Sequence, residues 1–80
     1  MKNYSFSVFP NPASIDFNVV CSSELKQLEI FNAMGVKVHS EKLSCKSKKI
    51  NIGLLPSGIY LVKADDGKKI FTSRIVKVNE

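Results

Sequence analysis

Leu54-Leu55-Pro56-Ser57-Gly58-Ile59-Tyr60-Leu61-Val62 sets a tight turn directly against a strand. Pro56 holds φ near a turn value, and Gly58 reaches φ > 0 at no steric cost. Ile59 to Val62 are β-branched, aromatic or apolar without a polar interruption. That is how a strand buried in a sandwich core reads, with apolar neighbours on both faces. Leu55, Pro56, Gly58 and Tyr60 are therefore structural residues first: they specify where a strand begins.

The same grammar extends in both directions. Ile50 and Ile52 flank Asn51 in a short strand entering the turn, and Leu43 to Lys49, polar and basic, reads as a crossing from one sheet to another. Asn32-Ala33-Met34-Gly35 reads as a hairpin turn with Gly35 in the left-handed position, joining Leu28 and Ile30 to Val36, Val38 and Ser40. Ser22-Ser23-Glu24 reads as a further turn. Before it, Ile15, Phe17, Val19 and Cys21 share one face while Asp16, Asn18 and Val20 share the other, the period of two of a half-buried strand. Tyr4, Phe6 and Val8 alternate with Ser5, Ser7 and Phe9 until Pro10-Asn11-Pro12, which admits neither helix nor central strand. Downstream, Asp65-Asp66-Gly67 is an Asp-Gly hairpin signal. A final strand carries Ile70, Thr72, Ile75, Val76 and Val78, with a change of face near Ser73-Arg74.

The nearest approach to a helix is Glu24 to Met34, where Leu25, Leu28 and Phe31 lie three apart, but Gly35 and the β-rich surroundings favour a strand. The count is about seven antiparallel strands at spacings of roughly 8 to 12 residues, which predicts an all-β, Ig-like β-sandwich over residues 1–80 as a single domain. A Greek-key connection follows from fold statistics, and the Cys and Trp signature of antibody domains is missing because the chain has no tryptophan.

Size and charge narrow the function classes. At 80 residues, folding buries only about two-thirds of the surface an open chain exposes, so the core is small. No apolar run is long enough for a membrane span, and the apolar region of a signal peptide does not follow Met1-Lys2. A net charge of +5 with clusters at Lys46, Lys48, Lys49 and at Lys68, Lys69 favours anionic partners in principle. Lysines at turns and sheet edges also keep a β domain soluble and stop edge-to-edge pairing, which explains both clusters without a ligand. The aromatics fall at strand positions expected to pack inward or at turns, not between lysines where bases would stack, so no nucleic-acid partner is expected. Cys21 and Cys45 match no metal or redox spacing; a disulfide and two buried thiols both remain open.

Chemistry needs more than the sequence offers. His39 is the sole histidine and lies on the polar face of a predicted strand. Asp65 and Asp66 are adjacent and explained by turn chemistry. No phosphate loop, zinc-protease or serine-hydrolase motif occurs. No enzyme activity, catalytic residue, metal or cofactor is expected.

Four features nevertheless occur in a fixed order: Val8-Phe9-Pro10-Asn11-Pro12; Ile30-Phe31-Asn32-Ala33-Met34-Gly35 with Val36-Lys37-Val38; Ile50 through Val62 with its Leu-Pro-Ser-Gly-Ile-Tyr centre; and Arg74-Ile75-Val76-Lys77. Together they resemble the type A C-terminal sorting domain of proteins exported by the type IX (Por) secretion system. Phe9 stands where the family usually has tyrosine, the two cysteines lie outside its pattern, and Val78-Asn79-Glu80 extends past Lys77.

The resemblance implies a secretion signal that is itself a folded domain, placed at the C-terminus of a larger secreted cargo and reaching the periplasm through a separate N-terminal signal. It implies recognition by the outer-membrane translocon and its shuttle and sortase components, then removal by the sortase and attachment of the cargo to the cell surface, or its release. Met1 followed at once by the first strand suggests a domain excised from its cargo. Pro10, Asn11, Pro12, Gly35, Leu55, Pro56, Gly58 and Tyr60 are expected to hold the frame. Recognition is expected at Arg74, Ile75, Val76 and Lys77, through an exposed edge of the last strand, Ile70 to Val78, that donates backbone hydrogen bonds. The competing class is an Ig-like or fibronectin-like adhesive or carbohydrate-binding module, which would need exposed aromatics or a metal-binding loop.

Overall fold

The computed structural model describes residues 5–79. Five strands, β1 (Phe6–Phe9), β2 (Asp16–Phe31), β3 (Lys37–Asn51), β4 (Gly58–Asp65) and β5 (Ile70–Lys77), form one antiparallel sheet. β2 is its spine. It pairs with β3 from Asp16↔Asn51 to Phe31↔Lys37, with β1 between Asn18 and Cys21, and with β4 between Gln27 and Phe31. β4 in turn pairs with β5 from Gly58↔Lys77 to Asp65↔Ile70. The sheet curls into a half-barrel: Phe6 of β1 stacks on Phe71 of β5 with ring centroids 5.4 Å apart, although the two strands are not neighbours in the sheet order.

The concave face holds the core. Phe17, Leu25, Leu28, Ile30, Ile50 and Ile75 are its largest fully buried side chains, with Val19 and Val62 between them. Burying an aliphatic or aromatic side chain of this size contributes about 1.5–3 kcal/mol, whereas an exposed ion pair such as Lys26–Glu24 or Lys37–Glu29 contributes about 0–1. The fold therefore rests on the inner face of β2, β3, β4 and β5.

The predicted seven-strand, two-sheet sandwich is replaced by five strands in one curled sheet, because two predicted breaks are continuous strand. Ser22-Ser23-Glu24 does not turn the chain. Between Val20↔Ser47 and Leu25↔Cys45, β2 advances five residues while β3 retreats two, so the polar triplet is absorbed as a bulge. Its other side is tied to the β1 end, where the Ser22 N–H donates to the Ser5 carbonyl at 3.0 Å. None of the three residues is glycine or proline, and no non-glycine residue among those described takes a positive φ. Leu43 to Lys49 likewise remains inside β3, with Leu43 buried and Cys45 packed against the core. A further shift at Leu25/Gln27 coincides with a reversal of which parity faces inward, so Phe17, Val19, Cys21 and Leu25 are followed by Leu28 and Ile30.

β4 and β5 also differ from expectation. β4 is not buried on both faces: Tyr60, Val62 and Ala64 point into the core, while Ile59 and Leu61 remain 48% and 43% exposed. A single sheet has no second layer to cover its convex side. β5 has no change of face. Phe71, Ile75 and Lys77 are all buried, and Ile70 is exposed. Ile15, expected on the core face of its strand, is exposed as well, one residue before β2 begins. The hairpin turns do follow the sequence: Gly35 takes φ +84°, and Asp66 caps the β4–β5 turn by accepting from the Lys68 and Lys69 N–H groups at 2.8 and 2.6 Å. Cys21 and Cys45 are free thiols. Tyr4 of the predicted first strand lies outside the described residues.

Candidate functional site: the motif end of the sheet

Pro10-Asn11-Pro12 follows β1 and lies against β5. Neither proline carries an N–H, so only Asn11 can pair there on equal terms with a strand. Its side-chain amide presents a carbonyl and an N–H much as a peptide group does. Asn11 Oδ1 accepts from the Val76 N–H at 3.0 Å and Nδ2 donates to the Arg74 carbonyl at 3.3 Å. Ala13 then continues with its backbone, donating to the Val76 carbonyl at 2.8 Å and accepting from the Val78 N–H at 2.8 Å. Three edge groups of β5, on Arg74 and Val76, and the Val78 N–H just beyond it are thereby satisfied. The edge expected to be open for recognition is occupied along this half, and the first and fourth sequence motifs form a single hydrogen-bonded unit.

Strand alternation sorts the four predicted recognition residues into two pairs. Ile75 and Lys77 point inward, at 0% and 3% exposure. The Lys77 ammonium reaches the end of the core, where Nζ donates to the Val78 carbonyl at 3.4 Å and to Asn79 Oδ1 at 3.1 Å. Arg74 and Val76 point outward and are exposed. Only this second pair is placed to meet a partner.

The second and third motifs meet beside them. The Asn32–Gly35 turn is held by Asn32 itself, whose Oδ1 accepts from the Met34 and Val36 N–H groups at 3.0 Å each. The stretch that opens at Leu54 is held by three contacts: the Leu55 N–H donates to the Ile52 carbonyl at 3.0 Å, the buried Tyr60 hydroxyl donates to the Pro56 carbonyl, and Leu55 packs on the core. Gly58 sits at φ +153°, a conformation that side-chain-bearing residues rarely adopt. A shallow depression of about 250 Å³ joins the two turns, lined by Asn32 to Met34 and Pro56 to Tyr60.

Next to it, on the convex face, lies a groove of about 490 Å³ lined by Phe31, Asn32, Ala33, Gly35, Ile59, Tyr60, Leu61, Lys63 and Arg74. Cross-strand register builds it: Phe31 faces Leu61 and Leu61 faces Arg74, while Ile59 faces Val76. The groove is apolar in its middle and cationic at its margin. Lys63 and Arg74 have no ion-pair partner among the described residues, whereas nearby Glu29 is paired with Lys37 at 3.1 Å. Sequence reasoning missed the groove because it assigned Ile59 and Leu61 to the core. Their alternation with Tyr60 and Val62 was the available signal.

Acid–base chemistry is sparse here. His39 lies on β3 opposite Ile30, with Nε2 2.9 Å from Glu41 Oε1. Asp66, at the opposite end of β5, is held below the usual carboxylate range by the Lys68 N–H, the Ser23 hydroxyl and the Lys69 N–H. No group of three or more metal-ligating side chains is assembled among the described residues, nor is any helix there long and apolar enough to cross a membrane.

The chain is similar to known proteins at two levels. The family described as "secretion system C-terminal sorting domain" matches residues 7–78. In structure, 92% of the chain superposes with TM-score 0.74 and 20% identity on PorZ, an essential bacterial surface component of the type-IX secretion system of the human oral microbiome bacterium Porphyromonas gingivalis. The chain covers 11% of the PorZ chain, and the likeness speaks for the fold alone. No curated protein matches it in sequence. The family match spans all four motifs in order and the two units they build; the chain belongs to the C-terminal sorting domains of the type IX secretion system, a family of signals for passage across the outer membrane to the cell surface or beyond.

Proposed function

We propose that this domain, residues 1–80, is the C-terminal end of a larger secreted protein and works as a folded signal whose outward-facing residues Arg74 and Val76 are read by the type IX translocon. The carrying observation is the Asn11–Ala13 contact with β5. It saturates the strand edge between Arg74 and Val78, so a partner meets side chains there and finds no free backbone to pair with. Ile75 and Lys77 act one step removed, by anchoring β5 so that Arg74 and Val76 keep their orientation. In this scheme the cargo enters the periplasm by its own N-terminal signal, shuttle and sortase components act at the outer membrane, the domain is removed, and the cargo stays on the surface or is released.

The test is a periplasmic reporter fused ahead of the domain in a bacterium with a working type IX system. Arg74→Glu combined with Val76→Glu changes only exposed positions, so the purified fusion should melt as wild type while the exported fraction falls severalfold. Undiminished export by a folded double variant would overturn the assignment. Gly58→Val provides the contrast, because loss of export there should coincide with loss of the folded state.

A further inference from the structure

The convex groove combines an exposed apolar strip with two cations that make no ion pair with a described residue, the carboxylate opposite Lys63, Glu29, being engaged by Lys37. Ile59 and Leu61 stand 48% and 43% exposed on adjacent outward positions of β4, between Phe31 on one side and Val76 and Arg74 on the other. Ile59 and Leu61 join Phe31 and Val76 in one contiguous apolar strip and are not isolated exposed residues. Its volume of about 490 Å³ falls within the range of sites that take a ligand of several residues or a small molecule.

We propose that this groove binds an extended peptide segment of a partner protein in which apolar side chains are flanked by carboxylates. The apolar residues lie over Phe31, Ile59 and Leu61, and the carboxylates meet Lys63 and Arg74. Charge selects this occupant over a second copy of the chain. The domain carries +5 overall and both unpaired charges at the groove are positive, so self-docking would bring like charges together, whereas an acidic segment neutralises them. The inference rests on the outward display of Arg74 proposed above and adds the chemistry of what Arg74 meets.

The experiment titrates the 80-residue chain, labelled with ¹⁵N, with three capped hexapeptides: Asp-Glu-Leu-Phe-Glu-Asp, its amide counterpart Asn-Gln-Leu-Phe-Gln-Asn, and Asp-Glu-Ser-Ser-Glu-Asp. The first should give saturable amide shifts at Phe31, Leu61 and Arg74, and the other two should bind at least about tenfold more weakly. Arg74→Glu and Leu61→Ser should each weaken the first peptide by a similar factor, with amide spectra showing the fold intact. Lys49→Glu, on β3, should leave affinity unchanged. No saturable shift in the groove, equal binding of the amide peptide, an equal loss in Lys49→Glu, or a dimer in sedimentation seated on these residues would each overturn the proposal. The export assay reads a separate quantity: a variant that loses the peptide yet exports its reporter normally would refute the role of Arg74 in sorting while leaving the groove a binding site.

Discussion

β5 and β3 each bound the sheet on one side, and their outer edges are treated in opposite ways. Along β5, Asn11 and Ala13 take up the Arg74 carbonyl, both backbone groups of Val76 and the Val78 N–H. Along β3, which pairs only with β2 among the described strands, five of fifteen residues are lysine and the ladder is interrupted by three register shifts. The first edge is closed by hydrogen bonds, the second by like charge and irregular pairing, both recognised means of stopping sheets from extending. The contrast assigns different vocabularies to the two sides. Near the motif end only side chains are available to a partner, while the β3 edge keeps its backbone groups and relies on lysines to deter another copy of itself.

Removing the clamp should break this contrast most strongly. Asn11→Ala deletes two hydrogen bonds to β5, at partly solvated positions, and should cost about 1–2 kcal/mol in chemical denaturation. Amide exchange of Val76 should quicken at the same time. An unchanged midpoint with unchanged exchange would show that Ala13 alone closes the edge.

Removing the charge should break the other side. Lys46→Thr, Lys48→Thr and Lys49→Thr together lower the net charge from +5 to +2. The folded monomer should change by less than about 0.5 kcal/mol for each substitution, since the positions are exposed. Association should appear in sedimentation velocity at concentrations where the wild type is monomeric. A variant that stays monomeric would assign protection of β3 to its bulges instead.

The smallest effect belongs to the end of β5 that Asn11 does not reach. Asp66 holds that turn, and its carboxyl lies below the ordinary aspartate value because the Lys68 N–H, the Ser23 hydroxyl and the Lys69 N–H favour the ionised form. A depressed folded-state pKa contributes stability that is present above the unfolded-state value and is lost as pH falls through the folded-state value. Acid melts should therefore show wild type losing this small increment below the usual aspartate range, and Asp66→Asn should remove that part of the pH dependence. Identical acid limbs would mean that the turn is held without the charge.

What the sequence determined by itself was local. Gly35 and Asp66-Gly67 announced their hairpins, and Leu55 to Gly58 announced the turn between β3 and β4, because turn geometry is set by a few adjacent residues; the alternation of Phe17, Val19 and Cys21 marked a core face because side-chain period is a property of the strand alone. The ordered motifs identified the family for the same reason. Tertiary structure decided the rest. Ser22-Ser23-Glu24 became a bulge because β1 and β3 pair on either side of it, which no local signal states. Ile59 and Leu61 face solvent because the sheet has one layer, and Lys77 faces inward because β5 keeps one parity from Phe71 to its end. The clamp that couples the first motif to the last joins Asn11 to Val76 across 65 residues. Its existence depends on how far a curled sheet brings its two ends together, a property of the whole chain and of no segment within it.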